Sequence, residues 1–103
     1  MSDRIESIRA LLTKDPDDLF LNYSLAMECA AAGRADEALA AFARCNELDA
    51  GYIPAYVEAG KCARSAGRLD AAREQFQKAL DLARSAGETH TADAIVQQIE
   101  SLG

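Results

Sequence analysis

The sequence predicts an all-α fold built from a repeating helix pair, and three observations carry that prediction. Helix-forming residues dominate: half of the 103 residues are apolar, much of that half is alanine, and the 6 glycines and 2 prolines interrupt no long stretch. Apolar residues recur at helical spacing, as in Ile5, Ile8, Leu11 and Leu12 near the start and Ala92, Ile95, Val96, Ile99 and Leu102 near the end. Finally, the middle of the chain repeats itself, because residues 19–50 shifted by 34 fall on residues 53–84.

The elements follow in order. A short amphipathic helix covers Arg4 to Lys14, and Asp15-Pro16 ends it, since the residue before a proline avoids the α region. Asp17 and Asp18 then offer acceptors to the free N–H groups of a second helix, Leu19 to Ala31. Gly33 stops that helix with a positive φ. A third helix opens at Ala35 or Asp36 and reaches Leu48, where Asp49-Ala50-Gly51 breaks it. Pro54 falls in the first turn of a fourth helix, where a missing N–H is harmless, and Gly67 ends it. A fifth runs from Leu69 to Ala86 and a last from Thr89 or Thr91 to Leu102. The expectation is about six short antiparallel helices joined by tight turns.

The 34-residue shift superimposes like on like. Ala32-Gly33-Arg34 falls on Ala66-Gly67-Arg68, Asp36 on Asp70, Ala38 on Ala72, Phe42 on Phe76 and Leu48 on Leu82. Ile8 precedes Phe42 by the same interval, so the first helix joins the pattern. With Leu25-Ala26, Cys29, Gly33, Ala38, Phe42 and Cys45 in one unit, and Tyr56, Ala59-Gly60, Ala63, Gly67, Ala72, Phe76 and Ala79 in the next, the chain resembles the tetratricopeptide repeat family. The resemblance covers roughly residues 8–84. It departs from the pattern at Asn22, where an aromatic belongs, and at Ala50 and Arg84, which stand in the place of the proline. It implies a single domain over 1–103, an α-α superhelix with a half-repeat helix at 1–16, full repeats at 17–50 and 51–86, and a capping helix at 87–103. In such a solenoid Ala38 and Ala72 lie where the two helices of a pair cross, and Phe42 and Phe76 fill gaps between adjacent units.

The resemblance also implies where a ligand sits, because side chains of the first helix of each pair line the concave face. Here those are Phe20, Tyr23, Met27, Ala30 and Ala31, then Pro54, Val57, Lys61, Arg64 and Ser65. The expected binding residues are Phe20, Tyr23, Met27, Val57, Lys61 and Arg64, forming a groove apolar at one end and basic at the other. It would suit a peptide with a hydrophobic anchor followed by a carboxylate. The competing expectations are that Phe20 and Met27 pack under the N-terminal helix, and that Lys61 and Arg64 are a solvated face. The carboxylate grip of some family members has no full counterpart, since only Lys61 keeps a cation at the comparable positions. The expected function is a protein-interaction module for a peptide or partner protein. The alternative is an assembly protein that self-associates through exposed solenoid ends, with Ile5 and Ile8 on the open flank of the first helix.

Other functions are disfavoured by chemistry. The net charge is -6, with 17 acidic against 11 basic residues, whereas nucleic-acid binding wants a basic surface. No apolar run reaches membrane-spanning length, and the first residues lack a secretory pattern. That absence and an odd count of three cysteines point to the cytoplasm. Cys29 and Cys45 occupy small, buried repeat positions, while the sequence leaves open whether Cys62 is partly exposed and reactive. His90 has neither a nucleophile nor an orienting group placed beside it, and the carboxylates fall at helix starts and outer faces. No enzyme activity, cofactor or metal is expected.

Overall fold

A computed structural model describes residues 2–103, with side chains from residue 4 onward. Six helices and no strand make up the described residues: α1 (Ser2–Lys14), α2 (Leu19–Ala31), α3 (Ala35–Leu48), α4 (Ile53–Ser65), α5 (Leu69–Ser85) and α6 (Thr89–Glu100). They fall into two units, Met1–Ala50 and Gly51–Gly103. The division coincides with the start of the second expected repeat.

In the first unit α1 packs on α2 and α2 packs on α3. The apolar stripe of α2 comprises Leu25, Ala26 and Cys29, which face inward toward Ala38, Ala41, Phe42 and Cys45 of α3. Ala38 and Cys29 are wholly buried, so the two backbones approach closely at that level. The turn between them is short because Gly33 takes φ 75°, a left-handed conformation that a side chain would strain. With Gly33 so placed, the Arg34 N–H donates to the Cys29 carbonyl at 2.9 Å and the Gly33 N–H to Ala30 at 3.1 Å. These two bonds satisfy carbonyls that a helix end otherwise leaves orphaned. The second unit repeats the device with Gly67 at φ 77°, Arg68 donating to Ala63 at 2.8 Å and Gly67 to Arg64 at 2.9 Å.

Asn22 is where the sequence departs from the repeat pattern, and the structure supplies the reason. It is 6% exposed, the one buried polar residue among those described. Its side-chain amide donates to the Pro16 carbonyl at 3.1 Å and the Asp18 carbonyl at 2.9 Å. Hydrogen bonding thus ties the α1–α2 loop down where an aromatic ring would otherwise do so by packing. Asp18 caps α2, its Oδ1 accepting from the Leu21 N–H at 2.9 Å. Asp17 does not share that task and pairs with Arg44 of α3. Asn22→Ala is expected to cost about 1–2 kcal/mol, read by thermal unfolding, because it removes both side-chain bonds that hold the loop to α2.

Two further ion pairs fasten α1, from Arg4 to Glu28 of α2 at 3.5 Å and from Arg9 to Glu37 of α3. Arg34 also reaches Glu37 at 2.7 Å, and its hydrogen bond holds the Glu37 carboxyl below its ordinary value, with Arg9 adding to the effect. A lowered carboxyl contributes stability above its ordinary value and loses it as the pH falls through the lowered one. Glu37 and its partners are exposed, so this contribution is small and salt-sensitive.

One expectation about α1 is overturned. Ile5 is 2% exposed and belongs to the core, and Ile8 is half-buried. The apolar stripe of α1 turns inward against the rest of its unit and offers no open flank through these residues. Leu11, at the edge of the same stripe, is the large apolar residue of α1 that stays in solvent, at 54%.

In the second unit α4 packs on α5 and α5 on α6. Ala55, Ala59, Gly60, Cys62 and Ala63 of α4 are buried with Ala72, Phe76, Ala79, Leu80 and Ala83 of α5, and Ala92 and Ile95 of α6 complete the buried set. Gly60 is required by contact and not by backbone conformation. A Cβ there would lie 2.5–2.8 Å from three ring carbons of Phe76, which is itself wholly buried. The ring therefore lies flush against the α4 backbone of its own pair. Phe42 likewise meets its own pair, in an edge contact with Tyr23 at 6.0 Å between ring centroids.

Candidate functional site

The residues expected to bind a partner divide by helix, and each unit presents its own set. On α2, Phe20, Tyr23 and Met27 follow helical spacing along one side, opposite the buried Asn22, Leu25, Ala26 and Cys29. Phe20, in the first turn, is 74% exposed and Met27 is 37% exposed. The alternative expectation, that α1 covers Phe20, does not hold. Tyr23 is half-buried and splits its role, because its ring edge packs against Phe42 in the core. Ala30 is half-buried and Ala31 exposed, so the strip continues as small apolar surface toward the end of the helix.

On α4, Val57, Lys61 and Arg64 are all half-buried and Pro54 and Ser65 exposed. The two cations are committed within the unit. Lys61 pairs with Glu58 at 3.4 Å. Arg64 is held more firmly: one terminal nitrogen donates to Gln98 Oε1 at 2.6 Å and to Ser101 Oγ at 2.7 Å. Its guanidinium carbon also lies 5.6 Å from the centroid of the Phe76 ring, a cation–π contact. Arg64 thus clasps the C-terminal end of α6 to α4. Sequence reasoning missed this clasp, although Gln98 stands one repeat length beyond Arg64 and so occupies the equivalent helix position.

The cysteines are all free and all buried, including Cys62 at 9%, whose exposure the sequence left open. Burial pushes the Cys45 thiol up to about 11. Burial also raises Cys29, with the Glu37 charge adding to it. Thiols so placed are poor nucleophiles at neutral pH. Titration of the native protein with a disulfide reagent is expected to be slow at all three, and to reach three equivalents promptly in denaturant. Among the described residues no three of His, Cys, Asp and Glu are grouped as a metal site requires, and no helix is long and apolar enough to cross a membrane.

Two successive helix pairs, each closed by a glycine turn, with an exposed apolar strip on the first helix of one pair, define a helical-repeat scaffold. The family model described as Tetratricopeptide repeat matches residues 30–96, and the chain belongs to that family. A TPR repeat-containing protein of Pseudomonas aeruginosa is 31% identical over 84 residues, spanning 82% of this chain and 80% of that protein. Among solved structures, a tetratricopeptide repeat domain protein from Salinibacter ruber is 28% identical with a TM-score of 0.75, over 85% of this chain and 89% of that one. The Yersinia enterocolitica type III secretion chaperone SycD, in complex with a peptide of the translocator YopD, is similar in fold, with a TM-score of 0.83 at 19% identity over 95% of this chain and 76% of that one.

Proposed function

We propose that this protein is an interaction module that holds a peptide or partner protein on the side of α2 bearing Phe20, Tyr23 and Met27. The observation that carries the reading is Phe20. A phenylalanine 74% exposed on a helix whose other side is fully packed contributes nothing evident to the core. Aromatic and methionine side chains left in water on a rigid helix are suited to recognition, supplying contact area with little ordering cost and adaptable packing. That the similar secretion chaperone is solved with a peptide of its partner supports the same class of function. Val57, Lys61 and Arg64 form the corresponding surface of α4. A ligand there would have to exchange with the Glu58, Gln98 and Ser101 contacts, so the weight of the proposal rests on α2.

The reading assigns no catalysis and places the molecule in the cytoplasm, where three buried free thiols stay reduced. It is tested by selecting binders from a displayed random-peptide library on the wild type and measuring them against Phe20→Asp. Selected peptides are expected to lose at least about tenfold in affinity for the variant. Equal affinity for both proteins would reject this face as the binding site.

A further inference from the structure

The charge of the chain is not evenly spread. Residues 1–50 carry ten carboxylates against five cations, and residues 51–103 carry seven against six. Within the first unit four of the five cations, Arg4, Arg9, Arg34 and Arg44, are in ion pairs with Glu28, Glu37 and Asp17 of the same unit, and the fifth, Lys14, adjoins Asp15. The exposed aromatic strip lies in this acidic unit. Asp15, Asp17 and Asp18 immediately precede the first turn of α2, in which Phe20 stands. Asn22, on the opposite side of α2 from Phe20, fixes that loop at the start of the helix through its bonds to the Pro16 and Asp18 carbonyls. Asp15 and Asp17 are exposed, Asp17 while paired with Arg44, and at the positions sequence offered for binding a carboxylate, Lys61 and Arg64 are occupied internally.

We propose that the occupant of the α2 face is a cationic amphipathic peptide segment, with apolar side chains seated on Phe20 and Met27 and lysine or arginine beside the Asp15–Asp18 loop. The assignment rests on the function proposed above and names its ligand chemistry. Apolar contact supplies most of the affinity, and the excess of carboxylates selects basic flanks and repels acidic ones. It reverses the polarity expected from sequence, in which the groove took a carboxylate. The same charge makes an anionic membrane surface a poor occupant of this face.

The test uses three fluorescent synthetic peptides with the same leucine and phenylalanine anchors, flanked by lysine, serine or glutamate. Anisotropy titrations on the full chain are expected to rank lysine above serine by about tenfold and serine above glutamate, with the spread shrinking in high salt. Phe20→Ser should weaken all three peptides. Asp15→Asn/Asp17→Asn should remove most of the lysine advantage while leaving the serine peptide unchanged; it releases Arg44 from its exposed pair with Asp17 and spares Asp18, which caps α2. If the serine or glutamate peptide binds as well as the lysine one, yet still depends on Phe20, the charge assignment fails and the α2 face survives. A lysine preference that the double variant leaves intact also overturns the assignment, since the selecting charge then lies elsewhere. If none binds, or Phe20→Ser alters none, the occupant and the binding face both fail.

Discussion

Phe76→Ala is expected to lower stability by about 3–5 kcal/mol, the largest loss from any single truncation in this chain together with Phe42→Ala. Phe76 is wholly buried, and its ring occupies the space left open by Gly60 on the facing helix. Removing it opens a cavity against Gly60, which has no side chain to fill it. For a domain of about this size such a loss lowers Tm by roughly 15 °C or more. The reciprocal substitution probes the same contact from the other side. Gly60→Ala introduces a methyl group within 2.8 Å of ring carbons that have nowhere to move, at a cost of about 1–3 kcal/mol. Because the two positions share one contact, their effects should not add. Gly60→Ala combined with Phe76→Leu, which withdraws the ring, is expected to be more stable than the sum of the single changes implies. Strict additivity in calorimetric unfolding would mean that the ring does not occupy this space.

Phe20→Asp is expected to do the reverse, removing binding while leaving the fold intact. The side chain is mostly in water, and an acidic residue in the first turn of a helix suits the dipole, so Tm should stay within a few degrees of wild type. Affinity for a selected peptide should nonetheless fall at least about tenfold. Tyr23 provides the internal contrast on the same side of α2. Its ring edge supports Phe42, so Tyr23→Ala should lower stability by about 1–2 kcal/mol as well as binding. A pair of variants three residues apart thereby separates the surface that recognises from the surface that holds the fold. If Phe20→Asp melts far below wild type, Phe20 is a structural residue and the recognition role assigned to it is lost.

The fold was legible because it depends on features that repeat. Gly33 and Gly67 mark the two turns, Ala38 and Ala72 the close crossings, and Phe42 and Phe76 the large core residues, each pair separated by one period. The helix boundaries followed from the same glycines and from the Asp15-Pro16 break, and α2 and α3 begin and end where those signals place them. What sequence left open was the fate of individual amphipathic side chains. Ile5, Phe20 and Leu11 all belong to helical apolar patterns, yet one is buried and two lie in solvent. Spacing says that residues share a face and does not say which neighbour covers it. The polar side chains were harder still. Asn22 looked like a flaw in the repeat, and only its two bonds to the preceding loop reveal it as the residue that fastens the α1–α2 loop to α2. Arg64 looked available for a ligand until Gln98 and Ser101 were placed beside it. Long side chains choose their partners in three dimensions, and a one-dimensional period is silent about that choice.

The most direct test of the recognition surface is the set of backbone amide shifts in the isotope-labelled protein as a library-selected peptide is titrated in. The expected result is that the shifts centre on α2 around Phe20, Tyr23 and Met27, and vanish when the same peptide is added to Phe20→Asp. Shifts confined to α3, α5 or α6, with α2 unmoved at saturation, would contradict the assignment of the binding face to α2.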